Sequence, residues 1–179
     1  MKPRPYHPFY CEENIWHLAS EERNGYVVLI SNETRSVACF SQKRAGASAT
    51  PLIWDYHVVW LSDAGMIWDF DTALPHPVAA LRYLEETFPF MPPPYAPMFR
   101  VVRGAAFLRS FASDRSHMKD HFGAYLAPPP PWPPIGEGTN LDAYLDMKNG
   151  EIGRVVDLPG LVAFVDRLRL RAGRAPGKR

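Results

Sequence analysis

The stretch Ile53-Trp54-Asp55-Tyr56-His57-Val58-Val59-Trp60-Leu61-Ser62-Asp63-Ala64-Gly65-Met66-Ile67-Trp68-Asp69-Phe70-Asp71 reads as a β-hairpin. Side chains alternate across a strand, so Ile53, Asp55, His57, Val59 and Leu61 share one face, and Trp54, Tyr56, Val58 and Trp60 the other. A turn at Asp63-Ala64-Gly65 leads into a second run with Ile67, Asp69 and Asp71 on one face. Two registers are open. Pairing Leu61 with Gly65 sets Asp69 opposite His57, whereas pairing Ser62 with Met66 sets Asp71 there and Asp69 on the diagonal. In both, the imidazole gains a carboxylate neighbour. A carboxylate on one ring nitrogen sets the tautomer and leaves the other nitrogen free to take a proton from a nucleophile. The competing reading is a satisfied structural hydrogen bond.

A candidate nucleophile lies upstream. At Cys11-Glu-Glu-Asn-Ile-Trp-His-Leu-Ala-Ser20 the apolar residues fall at helical spacing, with Glu12 and Glu13 in the first turn. This places Cys11 at a helix start, where backbone N–H groups and the positive end of the helix dipole stabilise a thiolate and lower its pKa. The two flanking carboxylates point to a water-accessible site and oppose ionisation, so a cationic partner such as His57 is required. The second cysteine, Cys39, sits in the apolar run Val37-Ala-Cys-Phe40 and reads as a small core residue. Neither cysteine belongs to a Cys-x-x-Cys motif.

Bulk properties bound the class. With 179 residues, 46% hydrophobic and 13% aromatic, the chain can bury a sizeable core as one domain over residues 1–170, followed by a flexible basic tail at 171–179. The net charge of +1 hides an asymmetry, because residues 1–166 carry 14 basic against 19 acidic side chains. An acidic body without a basic stripe disfavours nucleic acid. No apolar run reaches membrane-spanning length, and the N-terminus lacks the apolar core of a secretory signal, so a cytoplasmic protein that does not engage membranes is expected.

Along the chain, the proline- and aromatic-containing residues 1–10 suit an extended arm over the body. Tyr26–Ser31, Val37–Phe40 and Phe99–Arg103 read as strands. Val78–Phe88, Gly104–Phe111, a segment from Asn140 and a final one through Leu161, Phe164, Val165 and Leu168 read as helices. The polar run Ser113–Asp120 reads as a solvated loop. His117, Asp120 and His121 could ligate a metal only if that loop were helical. Pro128–Pro134 could be a ligand for a polyproline-binding partner, but its mid-chain position favours a belt anchored by Trp132.

Five blocks then invite comparison: Tyr10-Cys-Glu-Glu-Asn-Ile-Trp16, Ile53-Trp-Asp-Tyr-His-Val-Val59, Asp69-Phe-Asp-Thr-Ala-Leu-Pro75, Phe111-Ala-Ser-Asp-Arg-Ser-His-Met-Lys-Asp120 and Pro128–Pro131. In order and spacing they resemble the signature blocks of the protein N-terminal glutamine amidohydrolase family. The resemblance implies an α+β fold with a papain-like, transglutaminase-type core: a mostly antiparallel sheet flanked by helices, with the nucleophile at a helix N-terminus. It carries a catalytic triad onto Cys11, His57 and Asp69, and it alone prefers Asp69 to Asp71. The implied reaction deamidates an N-terminal glutamine of a protein or peptide to glutamate, with release of ammonia, through a thioester and without metal or cofactor. In that family the product enters the N-end rule pathway. A monomer is expected, and the substrate's α-ammonium calls for acceptors, for which Glu13, Asp55 and Asp114 are candidates. Departures are a shorter N-terminus, a shorter stretch between Trp16 and Trp54, and an unmatched Pro89–Pro97 segment. Rival readings are a cysteine protease or transglutaminase with the same triad, a zinc site on Cys11, His57 and Asp69, and a non-enzymatic proline-rich module.

Overall fold

The computed structural model describes residues 4–46 and 50–174. Its centre is a six-stranded, wholly antiparallel sheet in the order β6-β5-β4-β1-β7-β8. The strands are β1 (Gly25–Ser31), β4 (His57–Ser62), β5 (Met66–Trp68), β6 (Val78–Ala79), β7 (Met98–Arg103) and β8 (Arg154–Val156). A separate ribbon joins β2 (Val37–Cys39) to β3 (Leu52–Trp54). Helices cover both faces, which buries the central strands on each side. Against one face lie α1 (Cys11–Glu22), α3 (Gly104–Ser110) and α4 (Leu141–Leu145), around a core of Ile15, Leu18, Val58, Trp60 and Phe107. Against the other lie α2 (Ala80–Thr87) and α5 (Leu158–Arg174), around Val59, Leu61, Tyr83, Leu161 and Val165.

The alternation expected of the central strand holds from Tyr56 onward. Tyr56, Val58 and Trp60 face α1, and Val59 and Leu61 face α2 and α5. It fails upstream, because the run is two strands in two sheets. The break falls at Asp55, whose Oδ1 accepts the Tyr56 N–H at 2.9 Å, while Ser31 Oγ donates to the Asp55 carbonyl at 2.7 Å. These bonds satisfy the kink locally and fasten it to the end of β1. One consequence overturns the expected facing: Trp54 stacks on His57, with ring centroids 5.5 Å apart and planes at 21°.

The hairpin takes the second of the two open registers, with Trp60 opposite Trp68 and Leu61 opposite Ile67. Ladder pairing ends at Trp68, so Asp69 and Asp71 sit in a turn rather than a strand. The Asp71 N–H donates to Asp69 Oδ1 at 2.8 Å. Val78–Ala79, read as helical, instead forms the edge strand β6, and α2 begins at Ala80. α5 runs to Arg174, past the boundary expected at 171, and residues 175–179 of the expected tail lie outside the described residues.

Two packing devices hold the elements that frame the site. Gly104 lets α3 approach the sheet, since a Cβ there would meet the fully buried Trp60 ring at 2.7 Å. Arg100, on β7 and completely buried, donates from Nε to the Tyr144 carbonyl at 2.6 Å and from Nη2 to that of Asn149 at 2.8 Å, with further bonds to Asp146 and Ile152. A guanidinium surrounded by carbonyls ties the segment after α4 to the sheet, which offsets the cost of burying the charge. No described helix is long and apolar enough to cross a membrane.

Candidate functional site

Cys11 is the first residue of α1, as its sequence context predicts. The arm before it is locked down: His7 and Asn14 exchange hydrogen bonds of 2.8 and 2.9 Å, and the buried Tyr10 hydroxyl donates to the Ala127 carbonyl at 3.1 Å. The Tyr10 carbonyl accepts the Asn14 N–H at 3.0 Å, which closes the first turn. No side chain caps this end, so the first-turn N–H groups keep their donor capacity. The thiol is free and 8% exposed.

The two carboxylates beside it are not in water, contrary to expectation. Both Glu12 and Glu13 are fully buried; both Glu13 oxygens are hydrogen-bonded, whereas Glu12 is bonded through Oε2 alone, its Oε1 being without a hydrogen-bond partner among the described residues. Glu13 receives a two-pronged guanidinium contact from Arg115, at 2.7 Å on Oε1 and 2.8 Å on Oε2, and the Trp132 indole N–H at 2.6 Å. Glu12 accepts the Tyr56 hydroxyl at 3.0 Å, lies 3.3 Å from His117 Nε2 and is 3.7 Å from Cys11 Sγ. The expected lowering of the thiol pKa is therefore reversed. Burial first, then the charges of Glu12 and Asp71, push it well above its ordinary value, and the N–H of Val58 only partly offsets them.

That Val58 N–H contact sets the Cys11 sulfur against the residue that follows His57. The imidazole itself is 1% exposed, and its Nε2 lies 2.9 Å from Asp69 Oδ1. Asp69 Oδ2 accepts the Tyr83 hydroxyl at 2.8 Å. Burial opposes a charged imidazole, but Asp69, aided by Asp71, outweighs it and raises the His57 pKa. Burial likewise opposes the Asp69 carboxylate, and His57 with the donated hydrogen bonds lowers it. Among the described residues His57 Nδ1 is buried without a hydrogen-bond partner, the free nitrogen that the sequence argument requires.

Cys11 opens into a cleft of about 290 Å³ that is also lined by Trp54, Asp55, Tyr56, Asp71 and His117. Of the three proposed ammonium acceptors only Asp55 lies there, and it is exposed. Glu13 is consumed by Arg115 and Trp132. Asp114 is outside the cleft lining, and its Oδ1 accepts the Ser116 N–H at 2.9 Å.

The polar run 113–120 is a correction. Ser113 and Arg115 are buried, and His117 reaches Tyr56 at 3.1 Å, so the segment is a wall of the site rather than a solvated loop. Residues 116–118 form a single 3-10 turn, and His121 packs on Phe122, so the suggested metal set of His117, Asp120 and His121 does not assemble. Trp132 does anchor the proline belt, edge-on to His17 and His7. Glu12, Tyr56 and His117 were not foreseen as one network. The available signal was one histidine, His117, in a polar run between structured elements.

Among the described residues one group brings three metal-ligating atoms within 4.8 Å of one another: His57, Asp69 and Asp71. Cys11 is not part of it, so the zinc set of Cys11, His57 and Asp69 does not form at ligand distances. The carboxylates of that group are engaged otherwise, Asp69 by His57, Tyr83 and the Asp71 N–H, and Asp71 by the Tyr6 hydroxyl at 2.9 Å.

Fold and site together define an α+β protein with a cysteine that starts a helix and opens into a cleft, and with a buried histidine–aspartate pair. A family model described as N-terminal glutamine amidase matches residues 6–165. The chain is 41% identical over 160 residues to the protein N-terminal glutamine amidohydrolase of Homo sapiens, covering 79% of this chain and 78% of that one. It is 40% identical over 177 residues to the protein of the same name from Bos taurus (88% and 84% covered) and 36% over 170 residues to that from Oryza sativa subsp. indica (81% and 73%). The chain belongs to the N-terminal glutamine amidase family.

Proposed function

We propose that this protein hydrolyses the side-chain amide of an N-terminal glutamine, on a protein or peptide, to glutamate and ammonia, on a papain-like, transglutaminase-type core. The observation that carries the reading is the buried His57–Asp69 hydrogen bond, with the opposite imidazole nitrogen unpartnered and the Cys11 sulfur against the next backbone N–H. The names of the relatives agree with it.

In this mechanism His57 takes the Cys11 proton and the sulfur attacks the carboxamide carbon. The uncapped first-turn N–H groups of α1 hold the oxyanion. His57 returns the proton to the departing nitrogen, which leaves as ammonia, and a thioester remains. Water, deprotonated by His57, then attacks the thioester; glutamate leaves and the thiol is restored. Asp69 holds the ring and stabilises its cationic form. Because burial and Glu12 keep Cys11 a neutral thiol at rest, proton removal accompanies attack rather than preceding it.

Asp55, at the open side of the cleft, receives the α-ammonium. An ammonium left unpaired in a partly desolvated cleft costs several kcal/mol, on the order of a thousandfold in affinity, so one carboxylate suffices to reject internal glutamine. The test is a glutamine-initiated peptide followed by mass and by ammonia release, with Cys11→Ala as control. Conversion of the first residue alone supports the reading; cleavage of the peptide backbone, amine incorporation or no reaction refutes it.

A further inference from the structure

The two acidic neighbours of Cys11 are neutralised differently. Glu13 is held by Arg115, whose charge does not change in the accessible pH range. Glu12 is held by His117, whose charge does. We propose that His117 is the titratable counter-charge of Glu12, and that this pair, bridged by Tyr56, sets how readily Cys11 gives up its proton. The proposal rests on the reading of Cys11 as the nucleophile.

Hydrogen-bond directions follow from donor counts. The Tyr56 hydroxyl has one hydrogen, and Glu12, a carboxylate, can only accept, so Tyr56 donates to Glu12 Oε2 at 3.0 Å. The Tyr56 oxygen then accepts from His117 Nε2 at 3.1 Å, which puts a proton on Nε2. The same nitrogen faces Glu12 Oε1 at 3.3 Å. Two bonds from neutral donors do not discharge a fully buried carboxylate, whereas an imidazolium does.

The charged and titratable groups facing this pair are Cys11 and Glu13 from α1, and Asp55 and Tyr56 from the turn before β4. Asp71, beyond Cys11, acts on the thiol. Burial works against a charged His117, but Glu12, Asp55 and Glu13 outweigh it and raise its pKa. With His117 protonated, the Cys11 proton passes to His57 beside a neutral pair. With His117 neutral, the new thiolate faces the bare Glu12 charge. His117 is thus a positioning residue: it acts through Glu12 and needs no contact with the substrate.

The experiment is the pH profile of Cys11 alkylation by iodoacetamide, mapped by peptide mass so that Cys39 is scored separately. It compares wild type, His117→Gln, Glu12→Gln and the double variant. His117→Gln is expected to slow Cys11 alkylation about tenfold at pH values where the wild-type imidazole is charged and to match wild type where it is neutral. Glu12→Gln speeds the reaction, and the double variant reacts faster than His117→Gln, because removing the anion abolishes the need for the cation. A His117→Gln profile superimposed on wild type overturns the proposal, as does a double variant that stays at the His117→Gln position. Should His117→Gln not fold, an unmoved profile in Glu12→Gln overturns it alone. Wild type that alkylates with these shifts yet leaves glutamine-initiated peptides untouched would refute the proposed function and spare this inference.

Discussion

His57 Nε2 and Asp69 Oδ1 lie 2.9 Å apart, both residues sealed from solvent, even though the hairpin register, if it ran on past Trp68, would set Asp71 and not Asp69 opposite the histidine. Asp69 reaches the ring because β5 ends at Trp68 and the chain turns there. Asp69→Asn should therefore lower kcat on the order of 10⁴-fold while changing KM little, since an amide stabilises the wrong tautomer. Ammonia release from a glutamine-initiated peptide measures this; a loss confined to KM would refute the assigned role.

The same pair fixes a pH dependence. In the proposed mechanism His57 is neutral when it takes the thiol proton, and its pKa is raised above the ordinary value of about 6.5, so the acid limb of kcat/KM should lie above that pH. In Asp69→Asn the residual activity should show the limb at lower pH.

Stability follows with the sign worked out. A raised imidazole pKa contributes stability fully present below about 6.5 and lost as pH rises through the folded value. The lowered Asp69 pKa contributes stability present above about 3.9 and lost as pH falls through its own folded value. The Tm difference between wild type and Asp69→Asn should thus be largest between these limits and shrink above neutrality, as thermal melts across pH would register.

Asp55→Asn should raise KM for glutamine-initiated peptides by roughly 10- to 1000-fold with little change in kcat, and should narrow the preference over N-acetylated peptides. Equal discrimination by variant and wild type would assign the ammonium to other acceptors.

Arg115→Ala leaves the Glu13 charge buried and unpaired and should cost about 3–5 kcal/mol, a Tm lower by roughly 10 °C. Gly104→Ala presses a methyl into Trp60 and should cost about 1–3 kcal/mol without altering the cleft. Denaturant unfolding with an unchanged slope would confirm both.

Much of this architecture was legible beforehand where a signal is local. The helix beginning at Cys11 follows from apolar spacing and acidic first-turn residues. The turn at Asp63–Gly65 and strands β1, β4 and β7 follow from period-two or continuous apolar runs. Where partners come from far along the chain, reading failed. Glu12 and Glu13 look solvated in sequence, yet are buried under Tyr56, His117, Arg115 and Trp132, which arrive from far along the chain. The alternation over 53–61 hid a break, because Asp55 completes its own backbone bond and frees the strand to change sheets.

By itself, the sequence determined the helix-start position of the thiol, the faces of β4 from Tyr56 onward and the availability of a carboxylate for His57, since these depend on backbone periodicity and neighbours a few residues apart. Strand periodicity left Asp69 and Asp71 open and only the family resemblance preferred Asp69; the tertiary structure shows the Asp69 bond to the imidazole, and it alone decided that Asp55 of three candidates reaches the cleft and that Cys11 is a buried thiol raised rather than lowered in pKa. The reason is that desolvation and charge pairing depend on distances in space, and residues 11, 57, 69, 115, 117 and 132 have no fixed distance until the sheet and both helical layers close.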